Sequence, residues 1–83
     1  MSNLIKTNEQ VEVLAIFTKK GPKPYALKWA GKKYIIEKIN LVYSQRTGDG
    51  KLVYFSATSQ SNNFKLVFNT NELTWRLEEV YHE

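Results

Sequence analysis

Lysine dominates one window of this sequence. Between Lys19 and Lys38 stand seven lysines (Lys19, Lys20, Lys23, Lys28, Lys32, Lys33 and Lys38) and one acid, Glu37, a local charge of +6. The segment from Glu72 to Glu83 goes the other way, with four glutamates against Arg76 and a charge of −3, inside a chain whose overall charge is +4. Ammonium groups clustered in this way neutralise phosphates and release their counterions. Aromatic rings among them take stacked bases, and the window holds Tyr25, Trp29 and Tyr34. The candidate phosphate contacts are therefore Lys19, Lys20, Lys23, Lys28, Lys32 and Lys33. Tyr25, which borders a loop, is the candidate stacking residue, and the ligand this chemistry selects is single-stranded DNA or RNA. A protective reading stands beside it, because lysines around prolines blunt a strand edge against aggregation. A second functional class is a protein-interaction module that docks a peptide or another copy of itself on a strand edge or in an aromatic groove.

Other chemistry is thin. The chain has no cysteine, which removes disulfides, thiolate zinc sites and cysteine nucleophiles. General acid/base work recruits a histidine or paired carboxylates. The single histidine, His82, reads as a frayed surface residue next to the last position, and Glu78-Glu79 point to opposite faces if they lie in a strand. Gly48-Asp49-Gly50-Lys51 lacks the spacing and following helix of a phosphate-binding loop and reads as a hairpin turn. No catalytic residue, metal ligand or cofactor site is expected, so the chain reads as a binding module and not an enzyme.

The elements that must position the lysines follow a period of two, the signature of strands. The 83 residues allow one domain. Val11 to Lys19 reads as a strand buried on both faces near its middle. Pairing is expected to stop at Lys20-Gly21-Pro22-Lys23-Pro24, where two prolines lack backbone donors. Tyr25, Leu27 and Trp29 then alternate with Ala26, Lys28 and Ala30, which turns those three side chains toward the core, and Ala30-Gly31-Lys32 makes a tight turn. A long third strand, Lys33 to Ser44, contains a phase slip. Tyr34 and Ile36 lie on one parity and Ile39, Leu41 and Tyr43 on the other, as a β-bulge or a strand bent between two sheets would produce.

A glycine-rich loop at Gln45–Gly50, suited to positive φ, leads to strands at Leu52–Thr58 and Phe64–Phe68 and a last one with Leu73, Trp75 and Leu77 inward. Residues 1–10 read as a flexible or short-helical segment. The expected fold is all-β, about six antiparallel strands in a meander forming a small barrel, SH3-like or half-open. The start of the chain lacks a secretory signal core and no run approaches the length of a membrane span, so a cytoplasmic location without membrane contact is expected. Oligomeric state is left open.

At Pro24-Tyr25-Ala26-Leu27-Lys28-Trp29-Ala30-Gly31-Lys32-Lys33-Tyr34-Ile35-Ile36, the succession of proline, apolar or aromatic residues, tryptophan, small residue, glycine, two basic residues and tyrosine resembles the opening of the DUF6504-like family of small uncharacterised bacterial all-β domains. Phe64 to Phe68 followed by Trp75-Arg76-Leu77-Glu78-Glu79-Val80-Tyr81-His82 is similar to that family's closing pattern. The resemblance covers Pro24 to His82. It departs at Tyr43, where such sequences often carry tryptophan, and at Lys65-Leu66, which replaces Glu-Leu. It implies a shared all-β fold and, because such domains accompany translesion polymerases and DNA-damage operons, a DNA-repair context. It implies no catalytic residue.

Overall fold

The computed structural model describes residues 3–82 and consists of seven strands: β1 (Leu4–Thr18), β2 (Gly21–Trp29), β3 (Lys32–Ile35), β4 (Lys38–Arg46), β5 (Lys51–Ser59), β6 (Asn62–Asn69) and β7 (Thr74–His82). All pairings are antiparallel, in the order β3-β2-β1-β7-β6-β5-β4. Two meanders, β3-β2-β1 and β4-β5-β6-β7, are thus joined where the first strand pairs with the last. The result is an all-β half-barrel. Among the described residues no helix is long and apolar enough to cross a membrane.

The expected third strand is in fact two, β3 and β4, and they occupy opposite ends of the strand order. The phase slip marks where the chain leaves one sheet edge and enters the other. Two successive amides hold this crossing: Ile36 N–H donates to the Tyr25 carbonyl on β2, and Glu37 N–H donates to the Thr58 carbonyl on β5, both at 2.9 Å. Consecutive residues in extended chain point their N–H groups to opposite sides, so one dipeptide reaches both edges. A further bulge at Asn40, between the pairs Ile39–Ala57 and Leu41–Ser56, is secured by Asn40 Nδ2 donating to Thr58 Oγ1 at 2.8 Å. It turns Leu41 and Tyr43, which share the parity of the core-packed Ile39, out to solvent at 55% and 44% exposure.

The core lies inside the curve. Leu27, Tyr34, Val53, Phe55, Phe64, Leu66, Phe68, Trp75, Leu77 and Val80 form its buried cluster, with Val11, Val13, Ala15, Trp29, Ile36 and Ile39 packed around it. Phe64 sits among Trp29 and Tyr34, whose ring centroids lie 6.3 and 5.0 Å from its own in edge-to-face geometry. As alternation requires, Phe64, Leu66 and Phe68 all point inward.

Four other expectations need correction. Residues 4–10 are neither flexible nor helical but the first half of β1, paired with β7 from Leu4–Tyr81 to Val11–Trp75. A bulge there places Asn8 at φ 47°, and its carbonyl accepts from Arg76 Nη1 at 2.7 Å. Backbone pairing rather than side-chain burial makes this segment a strand, so it left no apolar period to read. The prolines do not stop pairing either: Pro22 lies opposite Phe17 and Pro24 opposite Ala15. β3 covers β2 only from Ala26 to Trp29, which leaves the far side of Pro22 and Pro24 without a strand, and proline is tolerated on such an edge. β1 is not buried on both faces, since Leu14 and Ile16 are 64% and 55% exposed. Leu73, expected inward, is exposed at φ 59° in the β6–β7 turn.

Candidate nucleic-acid interface

The β2–β3 hairpin turns at Ala30-Gly31, with φ of 53° and 75°. Successive positive-φ residues twist a two-residue turn to match its strands, and Gly31 adopts this without steric cost. The register that follows sets Lys28 directly opposite Lys33. On its other side Lys28 faces Glu12 of β1. This row of Glu12, Lys28 and Lys33 runs across the outer face, beside a shallow apolar depression of about 440 Å³ that also involves Leu14 and Ala26. Like charges opposed across a ladder destabilise the pair. Among the described residues none of the window's lysines is in an ion pair, and the one ion pair found is Lys65–Glu78 at 3.6 Å on another face.

Toward the other end of β2, Lys23 lies opposite Ile16 and Tyr25 is the extra residue of a bulge between the pairs Leu14–Ala26 and Ala15–Pro24. The bulge expels the Tyr25 side chain, which alternation had placed inward and which is 40% exposed. Lys23 Nζ stands 5.4 Å from its ring centroid, a cation–π contact. Lys38 joins these two along the seam between β2 and β4, in a depression of about 340 Å³ that Glu37 also lines. Lys19 and Lys20 form the β1–β2 turn, in which Lys20 N–H donates to Thr18 Oγ1 at 3.1 Å and the Thr18 hydroxyl donates to the Gly21 carbonyl at 2.9 Å.

The fold therefore brings Lys19, Lys20, Lys23, Tyr25, Lys28 and Lys33 along one outer strip that follows β2. Lys32 departs from it. It pairs with Trp29 at the far turn and sets its Nζ 5.2 Å from the ring of the buried Tyr34, on the core side. Trp29 is half-buried and Tyr34 buried, so of the window's three rings only Tyr25 is exposed. The strip also contains apolar side chains that charge patterning did not reveal. Leu14 and Ile35 flank Ala26 in register, and Leu14, Ile16 and Ile35 are each more than half exposed.

A second surface was missed altogether. On the outer face of β4–β7, Tyr43 and Tyr54 stack in parallel with centroids 4.7 Å apart, and Lys65 Nζ lies 5.5 Å over the Tyr54 ring. With Leu4, Leu41 and Tyr81 they line a groove of about 420 Å³. Burial disfavours the Lys65 ammonium, but its hydrogen bond with Tyr43 and the nearby charges of Glu78 and Glu79 outweigh that and hold its pKa above the ordinary lysine range. His82, expected to fray, is in register with Asn62, and its Nδ1–H donates to Asn62 Oδ1 at 2.7 Å. Gly48 and Gly50 lie in the β4–β5 turn without positive φ. Gly50 has another reason to lack a side chain: a Cβ there would stand 2.7 Å from Thr70 Oγ1, which accepts from Lys51 N–H. Comparison of the chain with protein-family models, with curated proteins and with solved structures finds no match.

Proposed function

We propose that this half-barrel is a non-enzymatic nucleic-acid-binding accessory module, taking single-stranded DNA or RNA along the strip from the β1–β2 turn to Lys33. The observation that carries the reading is the direct opposition of Lys28 and Lys33 on the same outer face as Lys23; Glu12 is the acid of their row, and among the described residues neither lysine is in an ion pair. Such an arrangement costs stability in the free protein and is relieved by a polyanion. Lys19, Lys20, Lys23, Lys28 and Lys33 supply phosphate contacts, and Tyr25, held in place by its bulge and by Lys23, offers one stacking face. Lys32 serves the hairpin end against Tyr34 and is left out of the contact set. The family resemblance adds a bacterial DNA-repair setting to this proposal.

A second reading, a protein-interaction surface, is favoured by Leu14, Ile16 and Ile35 on that face, because aliphatic side chains suit an apolar partner better than a base. Titration of a fluorescent single-stranded oligonucleotide separates the two. Phosphate contacts predict micromolar or tighter binding at low salt that weakens about tenfold or more between roughly 50 and 200 mM salt. The triple variant K19E/K20E/K23E should remain folded and lose binding. No binding at micromolar protein in low salt sinks the nucleic-acid reading.

A further inference from the structure

Every sheet with ends has edges, and the chain treats its edges unequally. Unpaired strand edges recruit other chains, so proteins blunt them with shortness, proline, lysine or bulges. β3, one edge, is four residues long and carries Lys32 and Lys33. The part of β2 that β3 does not pair with carries Pro22 and the buried Pro24. β4, the other edge, is nine residues long. After the bulge at Asn40 it runs Leu41-Val42-Tyr43-Ser44-Gln45 without proline, glycine or charge. Its apolar side chains are open on both faces: Leu41 and Tyr43 outside and Val42 on the opposite side, at 55%, 44% and 53% exposure.

The charge around this edge selects what adds to it. β4 contains Lys38 and Arg46 and no acid, hence +2. Arg46 lies directly opposite Lys51 of β5, so two cations stand side by side at the C-terminal end of the edge. Pairing of β4 with β4 of a second copy brings two such +2 segments together, and full overlap sets Lys38 against Arg46 at both ends. A segment that is apolar in the middle and acidic at one end meets no such repulsion. In antiparallel addition, the mode of every pairing in this sheet, the N-terminal end of the added segment lies beside Arg46 and Lys51.

We propose that β4 is a docking edge for an extended segment of another protein, β-branched in its centre and acidic at its N-terminal end, which adds antiparallel to β4 as an eighth strand. On the outer face its side chains extend the row formed by Tyr43 and Tyr54. This surface meets the lysine strip only at Lys38, which lines one depression with Lys23 and Tyr25; the docking end at Arg46 and Lys51 lies outside the strip, so the proposal does not rest on nucleic-acid binding.

The test uses the intact protein and two synthetic end-capped peptides, EEVTVTV and KKVTVTV, with amide hydrogen exchange read by NMR. EEVTVTV should slow exchange of alternate β4 amides about tenfold or more, since strand addition satisfies every second N–H of the edge. KKVTVTV should not, and R46E/K51E should weaken EEVTVTV binding about tenfold, as two modest charge pairs are lost. V42K, which puts a charge in the centre of the edge, should abolish it while the circular dichroism stays that of the parent. Three results overturn the proposal: no alternating protection with EEVTVTV, equal binding of the two peptides, or β4 protection that rises with protein concentration alone, which would make the occupant a second copy.

Discussion

At the scale of single residues, what matters is which neighbour a register supplies. Lys28 and Lys33 are unremarkable as surface lysines until β2 and β3 pair and set them face to face. Replacing one by an acid converts repulsion into attraction, so K33E should raise the urea midpoint by the equivalent of roughly 0.2–0.5 kcal/mol, an exposed pair screened by solvent. The same variant should lose oligonucleotide affinity. A gain in stability coupled to a loss of binding is the mark of a site kept at a cost to the fold; loss of both would mean that Lys33 is structural. Tyr25 shows the same dependence on context: counted by parity it is a core residue, and one bulge residue makes it a surface one.

At the scale of elements, the decisive feature is the Ile36-Glu37 crossing. Its two amides tie β2 to β5; Ile36 also packs against the core, whereas Glu37 is exposed and contributes little burial. Glu37→Pro removes the donor to Thr58, whereas Glu37→Ala keeps it. The proline variant should be less stable than the alanine variant by about 1–3 kcal/mol, the cost of an orphaned carbonyl and a broken seam. Urea unfolding of the two proteins checks this, and equal stabilities would show that the curvature is held by core packing alone. The sequence carried a partial record of this element. Its phase slip between Ile36 and Ile39 marked a bend or bulge, and both occur, but alternation does not say that the halves belong to opposite edges. That requires knowing which strands lie beside β3 and β4, a long-range fact.

At the scale of the whole molecule, the fold is closed by contacts distant in sequence. β1 pairs with β7, and Thr7 Oγ1 donates to the Leu77 carbonyl at 2.6 Å across a separation of 70 residues. Loop-closure entropy must be lost before such pairs form, so refolding should be slow for a domain of this size, in the millisecond-to-second range typical of small non-local β folds. Stopped-flow refolding monitored by Trp29 and Trp75 measures it, and a microsecond phase with full amplitude would contradict this topology. The molecule measures 38 × 23 × 23 Å, and β3, which carries Lys33, and β4 stand at opposite ends of the strand order.

The all-β class, the alternation of Phe64, Leu66, Phe68, Trp75 and Leu77 into one core, the tight turn at Gly31 and the concentration of positive charge in one window were all legible in the amino acids. They depend on local period, turn chemistry and composition, which neighbours in the chain already express. The placement of Lys32 over the Tyr34 ring, the expulsion of Tyr25, Leu41 and Tyr43, the strand made of residues 4–10 and the open edge of β4 were decided only by the tertiary structure. Each depends on pairing partners far away in the chain: a bulge exists only relative to the strand opposite, and an edge exists only where no further strand arrives.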